Sequence, residues 1–221
     1  ASGPQVVINQ PSGPIALDGG LGAPAAPAPR RAATKVFFVG ASPFDISLDR
    51  LRADREYREI QRQERPDVLT AASRHAAGID DLNAALVERP DILHLACHYA
   101  DGTLRFEDPV GDPHPVSVAA FAQRLDAYRR HAGFTLAGLV LSACDSADFA
   151  ERFTGLAGTV VAWRGLLDDE CAIAFAGRLY RELGRDPGQS LGNAARLAAV
   201  EVATSDNACH NLGDQLLVVP A

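Results

Sequence analysis

Methionine is absent from this 221-residue sequence, the initiator included, which predicts a chain that has been trimmed or processed. No basic-then-apolar leader opens it, so no export signal is visible. No run approaches the roughly 18 uncharged apolar residues that a membrane-spanning helix needs, and no membrane contact is expected. Runs of like charge are missing too: 21 Lys and Arg are scattered among 28 Asp and Glu, for a net charge of −7. That argues against a nucleic-acid surface and suits an ordinary soluble protein. Neither G-x-x-x-x-G-K-S/T nor G-x-G-x-x-G occurs. The turn after the first apolar strand, "VGASPFD", has one glycine and a proline where a phosphate-cradling loop needs several glycines. Cysteine is sparse, with Cys97, Cys144, Cys171 and Cys209 forming no C-x-x-C pair and no dense framework. Free thiols in a reducing cytoplasm are the expectation, with no metal and no cofactor. Repeats at solenoid periods are also absent.

What is present divides at about residue 34. Six of the fourteen prolines fall in 1–34, and 12 of the 15 residues in 19–33 are Gly, Ala or Pro. Such a segment buries too little apolar surface to offset its ordering entropy, so 1–34 reads as a linker or tail. Within it only "QVVIN" at 5–9 has the pattern of an added strand. From residue 35 to 221 the sequence reads as one domain in which strands and helices alternate. Strands are expected at 35–40, 67–72, 91–97, 136–144, 158–163 and 214–220. Helices are expected at 48–63, 78–90, 118–133 (with Gly133 as its stop), 168–184 and 186–203. Residues 102–108 and 114–118, joined across Pro109, Gly111 and Pro113, suit a hairpin. This alternation implies an α/β fold: a three-layer α/β/α sandwich on a mostly parallel sheet, with a small hairpin insertion.

Two of the expected strands stop at reactive side chains. "DILHLACHYADG" (91–102) ends at His98 and "LAGLVLSACDSADF" (136–149) at Cys144, 46 positions later. A histidine about 50 residues upstream of a cysteine nucleophile is the order and spacing of caspase-type proteases. Side by side in a parallel sheet, both side chains would emerge at its carboxyl edge, where α/β proteins build their sites. Taken alone, Cys144 also suits a buried core thiol. The segment "SADFAERF" predicts a helix just after Cys144, whose dipole would favour the thiolate. His98 would carry the proton, and the backbone N–H groups of Cys144 and Tyr99 are candidates for the oxyanion hole. His94 lies four residues before His98, but on a strand that separates them by about 13 Å, too far to share a metal. A structural role beneath the dyad is expected for His94, and a core position for Cys97 and Cys171.

Four segments in this order, "VFFVGASPFDISLDRLRADREYREI", "PDILHLACHYADGTLRFED", "LAGLVLSACDSADFAERF" and "VVAWRGLLDDECAIAFAGRLYREL", resemble the CHAT domains of the caspase–separase clan, especially bacterial CHAT and effector-associated caspase-like proteins. The resemblance spans roughly residues 36–200. It implies a caspase-like fold, a Cys–His dyad at Cys144 and His98, a protein substrate, and a sensor or recruitment module fused to the domain or associated with it. It also implies service in bacterial immunity or regulated proteolysis. The family usually places Gly directly after its histidine and Asn-Ala before its cysteine; this sequence has Tyr99 there, and Ser142-Ala143.

In that clan the pocket for the residue before the scissile bond draws on three loops, which here contribute Asp45, Asp145, Trp163, Arg164, Asp168 and Asp169. Acidic walls favour a Lys or Arg side chain. "VVAWRG" is similar to the caspase segment whose Arg receives a substrate Asp, so Arg164 points the other way, and both preferences stay open. Asp145 and Asp168 also suit helix caps, Asp169 a first helical turn, and Arg164 an internal pair. The leading reading is a cysteine endopeptidase that cuts a dedicated protein partner in the cytoplasm. The alternative is a catalytically silent caspase-like scaffold or interaction module.

Overall fold

The computed structural model describes residues 32–45, 49–186 and 188–220. The tail reading of 1–34 and the strand expected at 5–9 lie almost wholly outside them. The core is a six-stranded sheet built from β1 (Thr34–Gly40), β2 (Leu69–Arg74), β3 (Ile92–Ala96), β7 (Gly138–Ser142), β8 (Thr159–Trp163) and β9 (Leu216–Pro220). Their spatial order is β2-β1-β3-β7-β8-β9, parallel throughout except for the antiparallel β8–β9 pair. β3 and β7 are buried at every position, as strands sandwiched between helices must be.

Side-chain alternation splits the core in two. Phe37, Val39, Leu93, Leu95, Leu139 and Leu141 face one way. They pack there against Leu82, Ala85 and Leu86 of α2 (Ile79–Val87) and Phe121 and Leu125 of α3 (Val118–Ala132). Val36, Phe38, Ile92, Ala96 and Val140 face the other way. They meet α1 (Ala53–Gln61), α4 (Asp169–Arg185) and α5 (Leu191–Ser205). This is the three-layer α/β/α sandwich that the sequence implied.

Helix ends follow their caps. Ser117 and Asp168 accept hydrogen bonds from the N–H groups of Ala120 and Cys171, opening α3 and α4. Gly133 closes α3 in the left-handed conformation, as expected of a glycine stop. Most boundaries fall within two or three residues of the sequence reading, and three departures are larger. α5 starts at Leu191 rather than 186, because Ser190 supplies its cap by accepting from Asn193 N–H. α1 covers 53–61 rather than 48–63, and its buried stripe is Ala53, Glu56 and Ile60. The helix expected directly after Cys144 is replaced by two single 3₁₀ turns, Ser146–Asp148 and Ala150–Phe153. Ser146 is fully buried there: its hydroxyl donates to Leu141 O and accepts from Trp163 N–H. That ties β7 to β8 and leaves no continuous helix to grow from Cys144.

The insertion is larger than the expected hairpin. β4 (His98–Ala100) precedes β5 (Thr103–Glu107) and β6 (Pro113–Ser117), making a separate three-stranded antiparallel sheet. The β4–β5 turn is Asp101-Gly102, both with positive φ (52° and 74°), the type I′ geometry that Asp-Gly favours.

The cysteine expectation needs correction. Cys97 and Cys144 are free, but Cys171 and Cys209 form a disulfide with Cα atoms 5.6 Å apart. Cys171 sits on the buried face of α4's first turn and Cys209 in the 3₁₀ turn Asn207–Cys209 that packs beside it. Thirty-eight residues of sequence separation hide that proximity. No helix among the described residues is long and apolar enough to cross a membrane.

Candidate active site

The register of β3 with β7 pairs Ala96 with Ser142, so the two strands end level with each other. The chain then diverges. Cys97 turns into the α2–α3 side of the core, His98 starts β4, and Cys144 lies two residues past β7. His98 and Cys144 line one cavity of about 650 Å³ at the carboxyl edge of the sheet.

His98 is oriented by the main chain. Its Nε2 lies 2.6 Å from the carbonyl oxygen of Asp49. A carbonyl only accepts, so Nε2 carries a proton and donates it, leaving Nδ1 as the nitrogen free to exchange a proton. The sulfur of Cys144 accepts from Leu167 N–H at 3.3 Å, with Leu167 O 3.9 Å away. The segment after β8 therefore holds the sulfur, where the sequence had assigned that part to a helix dipole.

Tyr99 follows His98 in β4 with ordinary negative φ, so a position that is usually Gly in the resembling family demands no glycine-only backbone here. The flanking pair of a two-residue turn, Ala100 and Thr103, exchanges both main-chain hydrogen bonds. Tyr99–Leu104 is then the non-hydrogen-bonded pair. Its N–H consequently points away from β5, at the open edge of the small sheet. The Tyr99 ring packs on Phe149, centroids 4.5 Å apart.

The residues expected to bind substrate divide into two groups. Asp145, Asp168 and Asp169 line the cavity. Asp145 has φ 50°, which Asp tolerates, and its N–H donates to Gly165 O at 2.8 Å, pinning the loop after β7 to the loop after β8. Asp168 is the cap of α4. Asp169 accepts from Arg52 N–H at 3.1 Å, and burial raises its carboxyl above the usual range. The other three do not line the cavity. Trp163 is buried in the core, edge-on to Phe175 at 4.7 Å, and is corrected from a pocket residue to a packing residue. Arg164 points at β9, its guanidinium donating to Leu216 O. Asp45 is half-buried in the loop after β1, engaged in contacts of its own.

Two components were not anticipated. The Asp49 carbonyl has no sequence signal, since every residue carries one. Glu56 did have a signal: it is the one acid on the buried stripe of α1. It is 3% exposed and binds His94 Nε2 at 2.9 Å, while His94 Nδ1 meets the Tyr180 hydroxyl at 3.0 Å. Both ring nitrogens of His94 are thus committed to the core. Cys97 is likewise internal, its thiol pushed up to about 12 chiefly by burial.

The architecture is that of the caspase-like fold. Caspase-1 from Spodoptera frugiperda superposes with a TM-score of 0.54 at 13% identity, covering 86% of this chain and 87% of that one. The sequence profile of the CHAT domain matches residues 20–212, and the chain belongs to the CHAT family. It is also 28% identical over 158 residues to a Roc-COR-CHAT protease from an unknown prokaryotic organism. That match takes in 67% of this chain and only 15% of the longer relative.

Proposed function

We propose that this chain is a cysteine endopeptidase domain that acts through Cys144 and His98 on a specific protein partner. The observation that carries the reading is the shared cavity at the level strand ends, with His98 oriented by the Asp49 carbonyl so that Nδ1 is free. His98 Nδ1 takes the thiol proton, and the thiolate attacks the scissile carbonyl carbon. The N–H groups of Tyr99 and Cys144 hold the oxyanion; each such donor is worth about 3–4 kcal/mol in a dry site. The imidazolium then protonates the leaving amine. Water, deprotonated by the same imidazole, releases the acyl group.

Asp49, Asp145, Asp168 and Asp169 outnumber Arg50 on the cavity walls, which supports a Lys or Arg before the scissile bond. The length of the Roc-COR-CHAT relative supports a domain that works beside fused or associated sensor modules. Such a domain fits the effector of a bacterial antiviral or other regulated-proteolysis system, in the cytoplasm. The test is co-expression with proteins encoded by neighbouring genes, and a fluorogenic panel ending in Arg, Lys or Asp. Cleavage lost in Cys144→Ala and His98→Ala supports the reading. Cleavage that survives Cys144→Ala overturns it, and cleavage only after Asp overturns the basic preference. A folded protein whose Cys144 resists peptidyl electrophiles even with its partner present would be a silent scaffold.

A further inference from the structure

The turn from β8 into α4 lines the cavity, and its backbone is pinned at successive residues from Arg164 to Leu167. Arg164 N–H donates to Gln215 O at 2.8 Å, and Gly165 O accepts from Asp145 N–H at 2.8 Å. Leu166 O accepts from the side-chain amide of Gln215, Nε2 at 2.8 Å, and Leu167 N–H donates to the sulfur of Cys144 at 3.3 Å. A carbonyl only accepts, so the Gln215 amide presents its NH2 here. Gly165, with φ 74°, turns the chain so that Arg164 N–H and Leu166 O both meet Gln215. Gln215 ends the single helical turn Leu212–Gln215 and stands half-buried on the cavity wall. The Leu166 side chain is 78% exposed and gives this stretch no anchor in the core. Of the groups that hold the turn, only the Gln215 amide is a side chain other than Cys144 itself.

Leu166 O and Leu167 N–H are the two ends of one peptide group. That group is planar, so fixing where its oxygen points fixes where its N–H points. A hydrogen bond accepted at the oxygen also polarises the group and strengthens its N–H as a donor. We infer that Gln215 is a positioning residue for catalysis: by clasping the Leu166–Leu167 peptide it aims that N–H at Cys144 and holds the sulfur in one orientation toward the scissile carbonyl. This rests on the dyad reading above. The sulfur turns about a single side-chain torsion with three staggered wells. Attack needs the reacting atoms about 3–3.5 Å apart with orbitals aligned, which one well at most supplies for a given substrate pose. In the thiol form, S–H can point at Leu167 O, 3.9 Å away. A thiolate has nothing to donate, so the N–H is then the attractive contact. The clasp therefore matters most at the moment the sulfur is about to attack.

The experiment compares two electrophiles on Cys144 in the full chain, read by intact mass. Iodoacetamide is small enough to meet the sulfur in any orientation. A peptidyl chloromethyl ketone, ending in whichever of Arg, Lys or Asp the parent chain takes fastest, reacts only with an aligned sulfur. Gln215→Leu keeps the bulk and removes the donor; Gln215→Glu keeps the shape and puts an acceptor in its place. In both, the rate of modification at saturating ketone is expected to fall about tenfold, with the half-saturating concentration changed less than about twofold. The iodoacetamide rate of Gln215→Leu, followed across pH, is expected to stay within about twofold of the parent. A residue that only braces the turn would slow both reagents alike. If Gln215→Leu does not fold, Gln215→Glu carries the test. A ketone rate that is unchanged or raised in the folded variants overturns the inference while leaving the dyad standing, and so does an equal loss with both reagents. A parent chain whose Cys144 ignores the ketone, or takes it as fast in His98→Ala, overturns the dyad reading and this inference with it.

Discussion

Two histidines and two cysteines lie on or just beyond the neighbouring strands β3 and β7, and their surroundings divide them into unlike pairs. His94 and Cys97 are sealed in the core, one with both nitrogens bonded and the other with its thiol held protonated. His98 and Cys144 share an open cavity, one with a free nitrogen and the other with an N–H aimed at its sulfur. Residue type does not separate the pairs. Strand alternation and the point at which pairing stops do.

Exchanging the roles should therefore give opposite outcomes. His98→Ala should lower peptidase activity about 10²–10⁴-fold, with stability unchanged to within about 0.5 kcal/mol. His94→Leu should instead destabilise by about 3–5 kcal/mol by stranding the buried Glu56 charge. Denaturant unfolding beside the activity assay separates the two. Equal effects on both readouts would dissolve the comparison.

The other two cysteines sharpen it, because they contribute to stability without entering the chemistry. Cys171→Ser with Cys209→Ser should cost about 2–4 kcal/mol for a loop of this length, and reductant should lower the melting temperature of the parent protein alone. A smaller effect is expected from Gly102→Ala, about 1 kcal/mol. Its Cβ meets no atom within 4 Å, so the whole penalty is the left-handed backbone. Smallest of all is the label on Cys97: at pH 8, four units below its value of about 12, only about one molecule in 10⁴ is thiolate. Intact mass should show Cys144 modified and Cys97 untouched until the chain unfolds. Raising the pH to 9 increases the Cys97 thiolate tenfold and still leaves it negligible.

The strands were legible because buried parallel strands are continuous apolar runs, and the helices because their caps (Ser117, Asp168, Gly133) are local. The pair proposed as a dyad stood out in the sequence because both of its members follow such runs. Other features were not. The 3₁₀ turns after Cys144 depend on Ser146 bridging two strands, and the Cys171–Cys209 bond depends on how a distant loop packs. Trp163 resembled a pocket residue because position along a motif carries no information about which face of a strand a side chain takes. β4 was readable and was missed: Asp101-Gly102 between apolar neighbours is a strong hairpin signal.

One consequence follows from the Asp49 carbonyl. A main-chain oxygen belongs to no particular amino acid, so replacing the side chain at position 49 leaves it in place, and a mutational scan would score that position as neutral. The acceptor is lost only by moving the chain that bears it. The neighbouring Arg50 and Leu51 line the same cavity, so whatever presses on that stretch of backbone also turns the imidazole. The setting of the histidine is thus encoded in the path of the backbone and not in any letter of the sequence.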